Sequence, residues 1–409
     1  MMCVKKILKY FKYFICCIIA LTCAFFNTPV IPDTGIIIGN TDKQISFPAP
    51  SVLPPDDHNH FIEIRRAVSS RSNAETSDKS EPVRRTRRVI DSDDPDKPES
   101  VVYLKKQHQR EIVISAVGDL ALASNYVKPY AFSFYEFYDL YGPEYFGENV
   151  RHIFIDESDF TIANLECALT DNLDPAIRQN KQFCYRGYTE YTSVLTAMGI
   201  DAVSLANNHA FDYGQAGYDD TIAALDDAGI RYFGNGKVLI EDINGISVGF
   251  IGMLSEHRVG QAIDALAYLD RQGVELKIVS YHWGNNNELY QNSAQIAAGR
   301  TLIDHGADLV VGHHPHVLQG IEEYNGKYIV YSLGDFLFDG SVISNIENRT
   351  SVIFQQRFVL YGSDIIESEI NLIPVLITSN FSRNNFKPML AEGEQGEAIL
   401  RKIEARSVN

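Results

Sequence analysis

Ala202-Val-Ser-Leu-Ala-Asn-Asn-His209 and Leu309-Val-Val-Gly-His-His-Pro-His316 decide the fold, because each is a short apolar run that leads directly into side chains able to bind a metal ion. The same pattern occurs in Ile114–Asp119, Phe160–Glu166 and Ile278–His282. In an open α/β sheet, ligands bind at the carboxyl ends of the strands. We therefore expect these polar side chains to converge at one edge of a sheet.

The sequence around these stretches alternates between strand and helix patterns. Tyr218, Ile222, Leu225 and Ala228 recur at helical spacing, and Gly229 follows as a helix C-cap. This alternation predicts an α/β fold with a largely parallel sheet covered by helices. The predicted strands are Ile112–Val117, Phe160–Ala163, Ala202–Ala206, Val248–Gly252, Leu276–Tyr281, Asp308–Val311, Tyr328–Ser332 and Val352–Leu360.

The residue types at the strand ends indicate a metal site. Imidazole, carboxylate and amide oxygen together suit borderline divalent ions such as Mn, Fe or Zn. A cation would also satisfy polar groups that are costly to bury. Any one of these residues alone has a simpler explanation, since a Gly-Asp pair often forms a turn and a single histidine is usually a hydrogen-bonded core or surface residue. Because several strand ends share this pattern, a common metal site explains them better than separate explanations for each residue.

Composition separates one large domain from a long N-terminal extension. The chain has 409 residues and 45% hydrophobic content, which is enough to bury a large core. We predict a signal peptide or membrane anchor over residues 1–26, a disordered linker over 27–110 and the folded domain over 111–409. The net charge of -17 disfavours nucleic acid as a partner.

The N-terminal segment directs the chain to a membrane. Its apolar run, Tyr13–Phe26, follows several lysines, as in a signal sequence or an N-terminal anchor. The lysines should hold the N-terminus in the cytoplasm, which places the domain outside the cell membrane. The run is short for a spanning helix, so a cleaved signal and a secreted product remain the alternative. The lysines are Lys5, Lys6, Lys9 and Lys12.

Two further features of the sequence leave alternatives open. Arg84–Arg88 could touch anionic headgroups or wall polymers, or it could be a solvated charge run offset by the aspartates that follow. Cys167 and Cys184 are the cysteines of the folded part. They could form a disulfide in an oxidising compartment, or each could be a small buried residue.

Six motifs follow one another along the predicted domain. They are Gly118-Asp119, Asn164-Leu-Glu166, Ala206-Asn-Asn-His209-Ala-Phe-Asp212-Tyr-Gly214, His282-Trp-Gly284, Gly312-His-His-Pro-His316 and Tyr331-Ser-Leu-Gly334-Asp335-Phe. Taken together, they resemble the CapA (PgsA) capsule-synthesis proteins of the calcineurin-like metallophosphoesterase superfamily. The resemblance covers about Ile112 to Thr378, with the motifs in the family's order.

The resemblance implies a four-layer sandwich of two mixed β-sheets flanked by helices, with one or two divalent metal ions per chain at one edge. His209 would lie just outside the metals as a catalytic residue that donates a proton or hydrogen bond, and Asp212 would orient it. His313 is a poorer candidate ligand than His314 and His316, because the two-residue spacing of that pair suits two neighbouring ligands better. The implied metal ligands are Asp119 and His316 on one ion, Asn208, His282 and His314 on the other, and Glu166 between them.

Three positions depart from the superfamily pattern. Ala121 stands where a histidine ligand is usual, so one metal site is a ligand short. Glu166 replaces the usual bridging aspartate, a substitution shared with CapA relatives, and Asp335 stands where relatives often have asparagine. The first two departures leave it open whether the protein is an enzyme.

Three functions are compatible with this sequence. The first is a membrane-tethered protein that serves synthesis, export or anchoring of a surface capsule polymer such as poly-γ-glutamate, beside membrane synthase or export partners. The second is an extracytoplasmic metal-dependent hydrolase of a phosphoester or of an amide in the polymer. The third is a binding module that kept the fold and lost catalysis, which Ala121 favours.

Overall fold

The computed structural model describes residues 109–125, 130–338, 347–380 and 382–408. The predicted leader and almost all of the predicted linker lie outside these residues. Within them, strands and helices alternate for most of the chain. The strands are β1 (Gln109–Leu120), β2 (Ser124–Asn125), β3 (Phe160–Leu165), β4 (Ala168–Leu169), β5 (Tyr185–Gly187), β6 (Ala202–Ser204), β7 (Arg231–Phe233), β8 (Val238–Ile243), β9 (Ile246–Leu254), β10 (Leu276–His282), β11 (Leu309–His313), β12 (Ile321–Tyr324), β13 (Lys327–Val330), β14 (Asp335–Leu337), β15 (Thr350–Tyr361), β16 (Asp364–Leu376) and β17 (Met389–Leu390).

The helices vary in length from one turn to four. Among the described residues, none is long and apolar enough to cross a membrane. The helices are α1 (Phe134–Tyr141), α2 (Glu144–Gly147), α3 (Arg151–Asp156), α4 (Thr192–Met198), α5 (Gly214–Ala228), α6 (Val259–Arg271), α7 (Ser293–Asp304) and α8 (Gly393–Arg406).

The strands form two large mixed sheets. The first has the order β17-β16-β15-β1-β3-β6-β7. Strand β14 also pairs with β1, at Asp119 and Leu120, after the part of β1 that pairs with β15. Its strands β1, β3, β6 and β7 are parallel, whereas β15 is antiparallel to β1. The second sheet has the order β12-β13-β11-β10-β9-β8, with β9, β10, β11 and β13 parallel and the two outer strands antiparallel. A small third sheet contains β2, β5 and β4.

Core packing shows four layers. In β10, Ile278 packs in the cluster between the sheets, while its neighbour Val279 packs against the helices outside, as the two-residue period of a strand requires. Phe160 of the first sheet stacks on Phe250 of the second, with ring centroids 5.1 Å apart. Helices α1 to α5 cover the first sheet, and α6 and α7 cover the second. The predicted α/β class and the two mixed sheets flanked by helices are therefore confirmed.

Helix α5 forms where the apolar period predicted it. It ends at Ala228, and Gly229 caps it in the left-handed conformation with φ 70. Glycine is favoured there because it has no Cβ to clash in this conformation. This helix places the loop that carries His209 against the first sheet.

Each predicted strand overlaps a strand of the structure, but nine strands were not predicted, among them β8, β14 and the long β16. Most residues of β16 are exposed or half-buried, so the run lacks the apolar pattern of a covered strand. Gln109 and Arg110 already belong to β1, and the Arg110 guanidinium donates to Oε1 of Glu275 at 2.5 Å.

Candidate metal centre

The polar ends of β1, β3, β10 and β11 and the loop after β6 meet at one place. Residues Asp119, Glu166 and His282 are fully buried or nearly so, at 0 to 2% exposure. Asn208 is exposed, and His314 and His316 are half-buried. The structure thus brings all six predicted metal ligands together between the core and the surface.

Glu166 is the carboxylate at the middle of the cluster. Its Oε1 lies 3.5 Å from Nε2 of His282 and 4.0 Å from Nε2 of His316. Neither carboxylate oxygen has a hydrogen-bond partner among the described residues. Burial, and then the nearby charge of Asp119, raise the pKa of Glu166 well above its ordinary value. An isolated buried carboxylate of this kind is costly unless a cation or a proton compensates it.

His282 and Asn208 form one side of the centre. Nε2 of His282 donates to Oδ1 of Asn208 over 2.8 Å, so an imidazole nitrogen and an amide oxygen face the same point. Asn164 lies behind them, where its Nδ2 donates to Oδ1 of Asp119 over 2.9 Å. Burial, and then the neighbouring His314, lower the pKa of His282 well below its ordinary value. A neutral imidazole is the form that binds metal.

The loop after β11 places the remaining histidines by an unusual backbone path. His314 and His316 have φ values of 97 and 58, in the left-handed region that residues other than glycine rarely adopt. Such strain costs of the order of 1–3 kcal/mol per residue and clusters at functional sites. Nδ1 of His314 is buried without a hydrogen-bond partner in the described part of the chain. Burial, and then the charge of His316, lower the pKa of His314 to about 4.

His313 has a different role from its neighbours. Its Nδ1 lies 3.0 Å from Oδ1 of Asp119, and its ring is buried. Although burial opposes ionisation of Asp119, the hydrogen bond from His313 lowers the pKa of that carboxyl. His313 therefore holds Asp119 ionised and in place.

Asp335 joins the cluster from β14. Residues Asp119 and Asp335 are register partners in the parallel pair β1–β14, so their side chains project from the same side of the sheet. Gly118 permits the close approach of the two strands, since a Cβ there would lie 2.0 Å from the carbonyl oxygen of Gly334. Nδ1 of His316 donates to Oδ1 of Asp335 over 2.8 Å. Burial raises the pKa of Asp335 to about 6.

The side chains fit a metal ion by geometry and by chemistry. Three sets have ligand atoms that all lie within 4.8 Å of one another. Bonds of about 2.0–2.2 Å to one ion allow ligand atoms up to about 4.4 Å apart, so small side-chain movements suffice. The unpartnered oxygens of Glu166 point to the same conclusion. The sets are Asp119, Glu166 and His282; Glu166, His314 and His316; and Asp119, His316 and Asp335.

His209 lies at the edge of this centre. Its Nε2 is 4.0 Å from Oε1 of Glu166, and its Nδ1 is 2.7 Å from Oδ2 of Asp212. Asp212 also accepts a 2.6 Å hydrogen bond from the amide of Tyr185 and forms an ion pair with Lys181. Burial lowers the pKa of His209, although Asp212 opposes the shift. The hydrogen bond to Asp212 leaves Nε2 of His209 facing Glu166 and the centre.

Sequence reasoning missed several residues that position the centre. Asp335 was noted only as a departure from relatives, whereas the structure places it among the candidate ligands. Asn164 and Asn207 were not assigned, yet Nδ2 of Asn207 donates to Oδ1 of Asn164 over 3.0 Å and ties two strand ends together. The signal for Asn164 was its place in the same polar strand end as Glu166. No local signal identified Lys181.

Comparison with known proteins gives one family. The model of the family described as "Bacterial capsule synthesis protein PGA_cap" matches residues 113–340. The capsule biosynthesis protein CapA of Bacillus anthracis is 28% identical over 274 residues, which cover 59% of this chain and 63% of that protein. The PGA biosynthesis protein CapA of Bacillus subtilis is 30% identical over 205 residues, or 44% of this chain and 54% of that protein.

A probable polyglutamine synthesis accessory protein of Mycobacterium tuberculosis is 31% identical over 227 residues, which cover 47% of this chain and 59% of that protein. The chain thus spans 54 to 63% of the length of these relatives. Among solved structures, TT1561 of Thermus thermophilus aligns with a TM-score of 0.33 and 13% identity over 64% of this chain and 99% of that one. At this TM-score the alignment adds nothing to the fold, which rests on the sheet topology.

Proposed function

The chain belongs to the PGA_cap family of bacterial capsule synthesis proteins, and on that premise we propose that it takes part in making, exporting or anchoring a surface polymer such as poly-γ-glutamate. The observation that carries this proposal is that the family match, residues 113–340, contains every side chain of the candidate metal centre. The proposed partners are the polymer or its precursor, and membrane synthase or export proteins.

The test of this proposal is the amount of surface polymer in cells that lack the protein. Restoring the full chain should restore the polymer, while a chain with Glu166→Gln should not, because the carboxylate at the middle of the centre is lost. An unchanged polymer level in the deletion strain would contradict the capsule function. Equal polymer in the two complemented strains would show instead that the centre has no part in it.

The centre is proposed to hold one or two divalent ions, of Mn, Fe or Zn. Asp119, His316 and Asp335 would hold one, Asn208, His282 and His314 the other, and Glu166 would contact both. Asp335 would supply the ligand that Ala121 does not. When bound, such ions polarise a phosphoryl or carbonyl oxygen and neutralise negative charge. Elemental analysis of the purified full-length protein, before and after dialysis against a chelator, tests whether metal is bound.

The chain's own residues have separate proposed tasks around that centre. His313 keeps Asp119 ionised, through the 3.0 Å contact between Nδ1 and Oδ1. Asp212 fixes the His209 imidazole with its Nδ1 proton inward, so that Nε2 can take up a proton from a water molecule or a substrate group. Lys181 forms an ion pair with Asp212 and so helps to fix the carboxylate that holds the imidazole.

Hydrolysis is the second candidate function, and the His209–Asp212 pair beside Glu166 favours it. The expected substrate is a phosphoester or an amide of the polymer. Turnover of model phosphoesters and of glutamyl polymer by the purified protein tests this directly. If the protein binds metal but turns over neither substrate, the result would indicate a binding module, which is the function that Ala121 favours.

We further propose that the protein stays attached to the cell membrane, with its domain outside the cytoplasm. The support is the run Tyr13–Phe26 after a cluster of lysines. Membrane fractionation, followed by protease treatment of whole cells, should recover a membrane-bound and digestible protein. Recovery of a soluble protein that begins between Phe25 and Pro32 would show a cleaved signal instead.

A further inference from the structure

A cavity of about 480 Å³ opens beside the candidate metal centre. It lies where the loops after β6 and β7 meet the end of β9 and the start of α6, with Ala206, Lys237, Leu254 and Arg258 among its lining residues. Cavities that bind small ligands typically measure about 300–1,000 Å³. This one could therefore hold a segment of a larger substrate.

The walls of the cavity continue into the metal centre. Leu254 is the register partner of His282 across β9 and β10. Ser255, the next residue, donates its amide hydrogen to the carbonyl of His282 over 2.9 Å. Phe211, which also lines the cavity, lies two residues after His209 and has 37% of its surface exposed. The cavity and the centre are therefore built from adjoining residues of β9, β10 and the loop after β6.

The charge of the lining is opposite to that of the chain. The chain has a net charge of -17, yet no carboxylate is found among the residues that line the cavity, which include Lys237 and Arg258. The Arg258 side chain forms no hydrogen bond or ion pair with the described residues. Lys237 places its Nζ 3.3 Å from the ring centroid of Tyr232 and has no carboxylate partner in the same part of the chain. Both cations are therefore available to an anionic ligand.

Arg258 joins two helical segments. It ends the short 3₁₀ turn Glu256–Arg258 and is the N-cap of α6, where the positive end of the longer helix's dipole repels a cation. Arg271 lies at the opposite end of the same helix, where a cation is favourable. The Arg258 side chain follows the same face as Gln261 and Ala265, which also line the cavity. A ligand with negative charge would remove the unfavourable repulsion.

We propose that this cavity is a subsite for a carboxylate-bearing segment of the polymer, which Lys237 and Arg258 hold while the adjoining part of the chain reaches the metal centre. The proposal rests on the proposed function, because a glutamyl polymer carries one carboxylate per residue. Phe211 and Leu254 provide apolar surface for the methylene groups between the carboxylates. Two cations in one cavity suit a ligand that carries more than one negative charge.

Binding of a fluorescent γ-glutamyl oligomer to the purified, metal-loaded full-length protein tests the subsite. Lys237→Glu and Arg258→Glu should each weaken binding roughly 3- to 10-fold, and the wild-type affinity should fall as salt rises. Arg271→Glu is the matched control, since it makes the same charge change on the same helix, and it should shift the affinity less than about twofold. Metal content and thermal unfolding are measured on every variant to show that the centre and the fold are retained.

The outcomes separate the subsite from the proposed function. Oligomer binding that is equal in both cavity variants and in the control would overturn the subsite, even if capsule synthesis depends on the protein. Tighter binding of a phosphate polymer, with the same dependence on Lys237 and Arg258, would overturn the carboxylate assignment. Two results together would overturn both the subsite and the proposed function. The purified wild-type protein would not bind the oligomer, and deletion of the protein would leave the cell's polymer unchanged.

Discussion

Replacing Asp335 by asparagine should weaken the binding of one metal ion and leave the fold intact. The amide has the shape of the carboxylate, and its oxygen can still accept the 2.8 Å hydrogen bond from Nδ1 of His316. The substitution therefore removes mainly the negative charge and the stronger ligand. Losing even an outer partner of a metal ligand typically lowers metal affinity about 10- to 100-fold, so a lost ligand should cost at least this much. That range corresponds to about 1.4–2.7 kcal/mol of binding free energy.

The assay is competition of the metal-stripped full-length protein against a chelating dye, with elemental analysis of the protein after gel filtration. Asp335→Asn should lose the weaker ion or bind it at least 10-fold less tightly. Asp226→Asn, an exposed position on α5, controls for the lost charge. Asp335→Ala removes the hydrogen-bond acceptor as well. If asparagine preserves both stoichiometry and affinity while alanine lowers them, Asp335 only orients His316 and does not replace the ligand missing at Ala121.

Four further predictions concern the same centre. His282→Ala and His314→Ala should each lower bound metal at least 10-fold with little change in thermal stability; normal stoichiometry in both would refute their assignment. His209→Ala should keep its metal while polymer production or hydrolysis falls, by roughly 10²–10⁴-fold if it transfers a proton; joint loss of metal, stability and function would indicate a bracing role. Glu166→Gln should raise the free energy of unfolding of the metal-free protein by about 1–3 kcal/mol at pH 8, measured by urea unfolding. A buried carboxyl with a raised pKa destabilises the folded state only above the pKa that it has in the unfolded chain. The gain should therefore vanish near pH 4. Metal affinity should rise with pH from 6 to 9, because metal must displace the proton of His316. The charges of Asp335 and Glu166 outweigh burial and raise the pKa of this side chain to about 10. Calorimetry in buffers of different ionisation enthalpy should detect the released proton.

The sequence predicted the central strands well because they are covered on both faces. Ile278 and Val279 both point into apolar clusters, on opposite sides of β10, so the strand reads as a continuous apolar run. Strand β16 has no such signal, since it lies near an edge with much of its surface exposed. Its place beside β15 follows from the tight turn at Gly362, where φ is 61, rather than from any apolar pattern.

The six predicted ligands could be identified from the sequence because each lies at or shortly after the carboxyl end of an apolar strand. Within each sheet, their grouping follows from the rule that parallel strands end at the same edge. The ligands come from two sheets, however, and the meeting of the two edges was not predicted by that rule. The supporting contacts were not accessible in this way. Asn207 and Asn164 meet through a side-chain hydrogen bond between residues 43 positions apart, and Lys181 reaches Asp212 from a loop without a regular pattern. Such contacts depend on loop conformations that no local period encodes.

Ala121 and Asp335 show why the ligand count could not be settled from the sequence. The backbone amide of Ala121 donates to the carbonyl of Leu337 over 2.6 Å, so β14 lies directly against this position. Ala121 is fully buried, and a larger side chain there would have to displace its neighbours. The same strand brings Asp335 level with Asp119. The pair β1–β14 therefore links Ala121, where a ligand is missing, with Asp335, its proposed replacement. Because the two strands are far apart in sequence, no local pattern could reveal this link.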